Sequence, residues 1–535
     1  MYSLGLYPPG NFSIVRGGQR DMGASEILPQ AAWYFSSEWV AVPKPGLPLA
    51  GFSASLPIEE DLAAWVASTA MAQARDYPPL IWLAAPEVLR SASWSVDGEK
   101  IIHQGKRWNW ATVPRLPLNG SWLDTSSLAF FCGRPLKLRG FAEVDEACFR
   151  VRSLWPEDFC LPEHVPDTFA PALPSQALSQ DTAASRLRAW VRALPEGGAR
   201  AGFSVERLWQ RSSGGSITPG QPFIGAMLNG AQGDDDEAHG GHFALMTGQL
   251  GPGGALDDCL VYNFYTLDAE SEKGIIAAPV PLDVYLGDLN AGQAWYRPSC
   301  LMLATLRDAR CAWYLQSALG RVFNQFYRHQ FSYQHARANC AGISVMTLRQ
   351  LGWPVPEAGP ESRLLALPGA LLSALQERSV AWGKAVFDYL TEDRTKLYPA
   401  VAFEQLTADL WCRLVDGENQ SQARTQAQTQ KNSASGLIDT LIEDVDQLLL
   451  LRVPQFPSSR AWGSWPVTSA KEYRARIPVD PKKRKIIPVP ARPFPAHLRD
   501  PLTPPEPPLR SDRLLSGLSI TALLSGLLAV YLAFF

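Results

Sequence analysis

Apolar positions recur along this chain with two different periods, and the period distinguishes predicted helices from predicted strands. A spacing of three to four residues predicts amphipathic helices over Trp313–Tyr327, Leu364–Leu375 and Val380–Leu390. The same spacing predicts two further helices, over Leu187–Leu208 and Leu437–Leu449. Each of these helices has one apolar face, which must pack against another part of the protein.

Short apolar runs that are bounded by Gly and Pro predict strands. The runs His242–Leu250 and Asp257–Leu267 are joined by the glycine-rich GPGGA, which predicts a β-hairpin. Cys300–Leu306 and Pro79–Leu89 have the composition of buried strands. Because strand-like and helical segments are mixed along the chain, the predicted fold class is α+β.

The composition limits the classes of protein to which the chain can belong. A length of 535 residues allows two or three domains, and a hydrophobic fraction of 46% supplies their cores. The formal net charge of −3 gives no indication of nucleic-acid binding. The eight cysteines are irregularly spaced and form no C-x-x-C pair, so we expect reduced thiols. The first residues do not have the pattern of a signal peptide.

The C-terminal end differs sharply from the rest of the chain. Leu514–Phe535 carries no charge and has the roughly 20-residue length that crosses a bilayer core, which predicts a single transmembrane helix. Arg510 and Arg513 precede it, so the positive-inside rule places the bulk of the chain on the cytoplasmic side. A buried terminal helix is the alternative, but this segment is apolar all round and follows a proline-rich tether.

Four regions are therefore predicted. Residues 1–175 form an α+β accessory domain, and residues 176–453 form the domain with the candidate chemistry and its flanking helices. Residues 454–513 form a proline-rich, basic linker, and residues 514–535 form the membrane anchor. The first region has no chemical motif, so its position alone suggests that it binds a partner protein or recognises substrate.

Cys340 is the candidate nucleophile. Asn339 before it is a favoured helix N-cap, and Gly352 followed by Pro354 ends the predicted helix, so Cys340 occupies the first helical position. The unpaired N–H groups and the positive end of the helix dipole favour the thiolate at that position. The same N–H groups are suited to stabilise the oxyanion that forms when a carbonyl is attacked.

His242 is the candidate base, and Asn263 is the candidate third residue. If the turn of the hairpin centres near Gly253, Asn263 lies opposite or beside His242. An asparagine in that place fixes the tautomer and the orientation of a catalytic imidazole. A shift of one residue in the register would move Asn263 to the other face of the sheet.

The segment GGHFAL, followed about a hundred residues later by an Asn-Cys pair that opens a helix, resembles the circularly permuted papain-like hydrolases and acyltransferases. This group includes proteins similar to lecithin:retinol acyltransferase and bacterial membrane peptidase families. The resemblance covers about Gly215 to Pro356. It implies a permuted papain-like domain in which Cys340 and His242 act through an acyl-enzyme on a peptide, amide or ester. It also implies a bacterial inner membrane as the location.

Three alternatives remain at the level of the sequence. The acyl group can pass to an amine or a hydroxyl instead of water, which would make the protein an acyltransferase. Cys340 can be a structural thiol in a non-catalytic, tail-anchored scaffold. His239 and His242 can form a metal pair beside the acidic run Asp234–Glu237, but Gly240 and Gly241 between them favour a loop. We therefore expect no metal and no cofactor.

Overall fold

The fold was obtained as a computed structural model. It describes residues 4–7, 10, 12–16, 39–43, 81–84, 93–96, 100–112, 136–144, 148–156, 160–165, 178–193, 203–229, 241–256, 258–264, 277–287, 299–327, 333–334, 336–423 and 436–453. The predicted linker and the predicted transmembrane helix lie outside the described residues. None of the helices among the described residues is both long and apolar enough to span a bilayer.

A seven-stranded antiparallel sheet forms the centre of the fold. The order of its strands across the sheet is β13-β12-β11-β10-β14-β15-β9. All seven strands fall within the region 176–453. Their bounds are β9 Ser204–Gln210, β10 Pro222–Asn229, β11 His242–Gln249, β12 Asp258–Asn263, β13 Ala278–Pro281, β14 Ser299–Leu306 and β15 Val445–Val453.

Two smaller sheets lie within residues 1–175. One has the order β1-β2-β3, and the other has the order β4-β5-β6-β8-β7, with β6 and β8 parallel. The bounds are β1 Phe12–Arg16, β2 Trp39–Pro43, β3 Ile81–Ala84, β4 Ser93–Trp94, β5 Ile101–His103, β6 Lys106–Thr112, β7 Leu136–Val144 and β8 Cys148–Pro156.

The described helices lie mostly in the second half of the chain. Their bounds are α1 Gln180–Arg192, α2 Leu282–Gly287, α3 Arg310–Tyr327, α4 Cys340–Gln350, α5 Arg363–Gln376, α6 Val380–Thr391, α7 Arg394–Leu397, α8 Pro399–Ala423 and α9 Leu437–Asp444. A 3-10 turn, Pro252–Gly254, connects β11 to β12. The chain is thus α+β, as its pattern of apolar positions predicts.

Helix α3 and the start of helix α4 lie against opposite faces of the seven-stranded sheet. On one face, Thr247 donates to Gln316 of α3 at 3.1 Å, and the ring of Phe264 stacks on Phe323 of α3 at 4.1 Å between centroids. His242 and Thr247 are five residues apart in one strand, so their side chains point to opposite faces. Cys340 at the start of α4 contacts His242, which places it on the second face.

The region before residue 176 shares its hydrophobic core with the seven-stranded sheet. Buried residues of both regions form one continuous apolar cluster. Hydrogen bonds also join the two regions, because Leu161 N donates to Gly254 O at 2.8 Å and Leu6 N donates to the side-chain Oε1 of Gln316 at 3.0 Å. The accessory region therefore supports the strands that carry the candidate site.

Two of the predicted helices are wrong in part. Leu187–Leu208 contains the end of α1 and most of β9, with the change occurring between Arg192 and Ser204. The segment Leu437–Leu449 is helical only to Asp444, after which β15 begins. Strand β15 lies between β14 and β9 in the sheet, and every one of its residues, including its four leucines, is buried. The predicted hairpin is confirmed, with β12 ending four residues before the predicted Leu267, and the other three predicted helices are confirmed to within three residues at their ends.

Candidate active site

Cys340 is the first residue of α4, and Asn339 caps the helix. The side-chain Oδ1 of Asn339 accepts a hydrogen bond from Gly342 N at 2.8 Å. Its Nδ2 donates to Leu397 O at 2.8 Å. One asparagine therefore both starts the helix and fixes that start to α7, which sets the position of the sulfur.

His242 begins β11 and lies directly after Gly241, which has a φ of 99°. This left-handed conformation favours glycine because a Cβ atom would clash with the backbone. The sharp change of direction lets the strand begin with the imidazole. The side chains of Cys340 and His242 form a hydrogen bond, although almost a hundred residues separate them in the chain.

Asn263 is the last residue of β12 and contacts His242 from the neighbouring strand. The register pairs Leu245 with Tyr262, so Asn263 lies opposite Ala244 and diagonal to His242 on the same face. The Nε2–H of His242 donates to Oδ1 of Asn263. Since Nε2 is engaged in this way, Nδ1 is the ring nitrogen left for Cys340.

The surroundings of Cys340 lower the pKa of its thiol. Burial is the largest single influence and would raise that pKa, but it is outweighed by the charge of His242, the hydrogen bond to His242 and the backbone N–H groups of Phe243 and Ala341. Burial raises the pKa of Cys300 and brings that of Cys412 to about 11. Cys340 therefore has the thiolate-favouring surroundings that a nucleophile needs.

Tyr285 of α2 lies on another side of the imidazole. Its ring centroid is 6.3 Å from that of His242. Burial, followed by the negative charge of Cys340, raises the pKa of Tyr285 well above its ordinary value. The phenol therefore stays neutral beside the thiol and the imidazole. Sequence patterns do not indicate this residue, because a tyrosine in a short helix resembles an ordinary core residue.

Asn229 is a second asparagine beside the imidazole. It ends β10 and lies directly opposite His242 in the β10–β11 pairing, so both side chains share one face. Its side chain is completely buried. Within the part of the chain that the structure describes, neither Nδ2 nor Oδ1 of Asn229 has a hydrogen-bond partner. A buried amide in this state costs about 1–3 kcal/mol, and such costs are concentrated at functional positions.

Asn229 was not predicted from the sequence. An asparagine at the end of a strand is typical of a turn, and only the strand register shows that it lies opposite His242. The four polar residues of the site thus come from three neighbouring strands and one helix. The two segments that continue from these strand ends, residues 230–240 and 265–276, lie outside the described residues.

The reactive side chains are deeply buried. Cys340 is 3% exposed, His242 is 2% exposed and Asn263 is 1% exposed. Burial excludes water and strengthens the interactions between these groups. It also means that a substrate reaches the sulfur only if part of the covering structure moves aside.

The geometry does not favour a metal at His242. Its imidazole is held by Asn263 on one side and Cys340 on the other. His239 and the acidic run Asp234–Glu237 lie outside the described residues. Among the residues that are described, no group of three or more His, Cys, Asp or Glu side chains is placed to hold a metal ion.

The chain matches no family model, no curated protein and no solved structure with which it was compared. The chemical interpretation of the site therefore rests on its own geometry.

Proposed function

We propose that this protein is a thiol hydrolase of the peptidase or amidase type, which acts through an acyl-enzyme on Cys340. The observation that carries the proposal is the contact of Cys340, His242 and Asn263, together with the lowered pKa of the Cys340 thiol. In this assignment Cys340 is the nucleophile, His242 is the general base and acid, and Asn263 orients the imidazole. The substrate is a peptide, an amide or an ester.

The first half of the reaction forms the acyl-enzyme. Nδ1 of His242 holds the thiol proton, the sulfur attacks the carbonyl carbon, and the carbonyl electron pair moves to oxygen. The N–H of Gly342 is engaged by Asn339 and that of Ala341 by the Cys340 sulfur, so we assign the backbone N–H of Cys340, at the positive end of the α4 dipole, to stabilise that oxygen. When the tetrahedral intermediate collapses, the bond to the leaving group breaks, and His242 donates its proton to the amine or alcohol that departs.

The second half of the reaction releases the acyl group. His242 removes a proton from water as the water oxygen attacks the thioester carbon. When the tetrahedral intermediate collapses, the C–S bond breaks and His242 returns the proton to the sulfur. The products are a carboxylic acid and the free thiol of Cys340. General acid–base catalysis of this kind contributes about 10²–10⁴-fold to the rate.

We further propose that Nδ2 of Asn229 donates a hydrogen bond to the substrate carbonyl oxygen. The amide is buried beside His242, and its donors have no partner among the described residues. A substrate carbonyl would satisfy this donor, and the interaction would strengthen as negative charge develops on the oxygen. The cost of burying an amide that has no partner among the described residues would then be recovered during the reaction.

The arrangement also supports a permuted papain-like domain as its origin. The histidine and the asparagine lie on neighbouring antiparallel strands, and the cysteine opens a helix that follows them in the chain. The sheet has seven strands and receives β15 from a segment about a hundred residues after Cys340.

We place the enzyme at a membrane, with Leu514–Phe535 as a single C-terminal anchor and the described residues on the cytoplasmic side. A bacterial inner membrane fits this topology. The region 1–175 is then available for a partner protein, and the net charge of −3 gives no reason to expect nucleic acid.

Protease treatment of sealed, right-side-out vesicles tests the membrane topology. It should leave the bulk of the chain intact, and digestion of the described residues would overturn this placement.

A non-catalytic scaffold is the second candidate function, and the burial of Cys340 favours it. In a scaffold the buried Cys-His-Asn cluster would only stabilise the packing between α4 and β11. An activated ester such as p-nitrophenyl acetate separates the two candidates. An enzyme forms a thioester on Cys340 that mass spectrometry can locate and that hydroxylamine removes.

The matched variants are Cys340→Ala, His242→Ala and Cys412→Ala. The first two should abolish the thioester, whereas the third removes a buried thiol whose pKa is raised and should leave the reaction unchanged. A thioester that forms to the same extent on several cysteines, or on none, would support the scaffold.

A further inference from the structure

The helical hairpin formed by α5 and α6 has an unusual distribution of large and small apolar residues. Apart from Val96, every large apolar side chain that is exposed in the described part of the chain lies on this hairpin. On α5, Leu364 is 88% exposed and Leu367 is 64% exposed. The hairpin residues in this set are Leu364, Leu365, Leu367, Leu372, Val380, Trp382, Phe387 and Tyr389.

Small residues make the closest approach between the two helices. Ala366 is fully buried, and a Cβ atom on Gly383 of α6 would lie 2.6 Å from both Ala370 O and Ala374 Cβ. A Cβ atom on Gly369 would lie 3.2 Å from Leu390. The two helices therefore approach closely where α5 contributes Ala and Gly, with Val386 and Leu390 of α6 against Gly369. The leucines of α5 that are exposed, Leu364, Leu365, Leu367 and Leu372, lie away from these contacts.

Soluble helical hairpins have the opposite arrangement, with leucines in the seam and polar residues outside. Small residues in the seam and large apolar residues outside are characteristic of helices that contact lipid. No charged residue occurs between Arg363 and Glu377. Trp382 and Tyr389, which are exposed, belong to the residue types that are enriched where a membrane meets water.

We propose that the α5–α6 hairpin is a docking surface for a lipid bilayer, and that it lies in the membrane interface with the leucine face of α5 toward the acyl chains. Helix α5 has 14 residues and α6 has 12, which correspond to about 21 Å and 18 Å. These lengths are shorter than the roughly 30 Å hydrocarbon core, so neither helix crosses it. The charged turn at Glu377 and Arg378 stays in the headgroup region.

The end of the chain favours lipid over other apolar partners. The 82 residues that follow Val453 finish with the uncharged Leu514–Phe535, which is predicted to lie in a bilayer. The basic linker before it is suited to anionic headgroups. An anchor of this kind keeps the exposed leucines at a high effective concentration near the same membrane, so the hairpin does not have to find it by diffusion.

Docking would also place the candidate site next to the membrane. Arg337 Nη2 donates to Asp388 Oδ1 of α6 at 2.6 Å, and Arg337 lies three residues before Cys340. The hairpin is thus joined directly to the segment that leads into α4. This proposal goes beyond the proposed hydrolase activity and does not depend on it.

Photo-crosslinking tests the proposal with the full-length chain. The protein is reconstituted into vesicles of phosphatidylcholine and phosphatidylglycerol that contain a phospholipid with a diazirine on its acyl chain. After irradiation, mass spectrometry should locate lipid adducts on peptides from α5. The exposed residues of α1 serve as the internal reference and should remain free of adducts.

The variant Leu364→Glu/Leu367→Glu/Leu372→Glu should lose the α5 adducts. The control variant Gln376→Glu/Arg378→Glu adds negative charge to the hairpin without changing the leucines, and it should retain the adducts. Because all three leucines are exposed, both variants should melt at the temperature of the unchanged protein, which shows that they fold. Absence of adducts from α5 in the unchanged protein would overturn the proposal.

Two other occupants give different results, and each would also overturn the proposal. If a second copy covers the leucines, light scattering shows a dimer that the triple variant separates. If Leu514–Phe535 folds back onto them, crosslinks join that segment to α5 while lipid adducts are missing.

Discussion

Asn229 lies directly opposite His242 across the pairing of β10 with β11, and its buried amide has no hydrogen-bond partner among the described residues. On the other side of the same imidazole, Asn263 accepts the hydrogen bond from Nε2–H. The two asparagines have the same functional group, but among the described residues only Asn263 has a side-chain hydrogen-bond partner. We therefore expect them to contribute to different steps of the reaction.

The Asn229→Ala variant should react more slowly without becoming less stable. Loss of one donor to a developing oxyanion typically lowers kcat by about 10²–10³-fold. Removing an unpaired buried amide relieves a penalty of about 1–3 kcal/mol, which offsets the loss of packing. The measurements are the acylation rate with p-nitrophenyl acetate and the melting temperature. A large loss of stability with an unchanged rate per folded molecule would show that Asn229 is structural only.

The Asn263→Ala variant should lower the acylation rate by disturbing the imidazole. Without the acceptor at Nε2, the ring loses its fixed orientation and its preferred tautomer. Asn263→Gln offers the same amide at a different distance and should restore only part of the rate. Retention of full activity in Asn263→Ala would remove this residue from the proposed triad.

The pH dependence of alkylation should report the lowered pKa of Cys340. In the unchanged protein, alkylation by iodoacetamide should reach half its maximum rate below the ordinary thiol pKa of about 8.5. In His242→Ala, the effects that lower the pKa are largely lost and burial is left to raise it, so the midpoint should move above that value. The test fails if both proteins show the same midpoint.

The Asn339→Asp variant distinguishes the effect of the helix cap from the effect of charge near the Cys340 sulfur. Aspartate still accepts from Gly342 N, so the cap is retained. It loses the donor to Leu397 O and brings a negative charge next to Cys340. We expect a higher pKa for the Cys340 thiol and slower alkylation at neutral pH. Asn339→Ala should instead cost about 1 kcal/mol of stability through loss of the cap.

The Trp353→Phe variant provides a control for stability alone. Trp353 Nε1 donates to Asp409 Oδ2 at 2.8 Å in a buried contact beyond the end of α4. Asp409 also pairs with Arg413 at 2.9 Å, so it keeps a partner in the variant. We expect a loss of about 1.5–3 kcal/mol in the free energy of unfolding. The pH midpoint of Cys340 alkylation should not change, because the contact lies at the other end of α4.

The local parts of the site could be predicted from the sequence, but the register between β10 and β11 could not. The N-cap at Asn339, the helix start at Cys340 and the hairpin that carries His242 follow from short-range signals. Asn229 requires knowledge of which strand lies beside β11. That pairing connects segments whose relative register no local pattern determines.

The main error in secondary structure has a similar cause. The segment Leu437–Leu449 has apolar residues at helical spacing, but its last two residues open a run of four consecutive leucines, Leu448–Leu451. Periodicity cannot distinguish a fully buried strand from a buried helix in such a run. The pairing with β14 and β9 decides the outcome in favour of a strand from Val445 onward.

The position of β15 has a consequence for the biosynthesis of the protein. This strand is the last described element to leave the ribosome, yet it lies inside the sheet and joins β14 to β9. Until Val453 has emerged, β14 presents an unpaired apolar edge that can bind other nascent chains. A protein that terminates early, before Leu437, should therefore aggregate even though it contains every residue of the candidate triad.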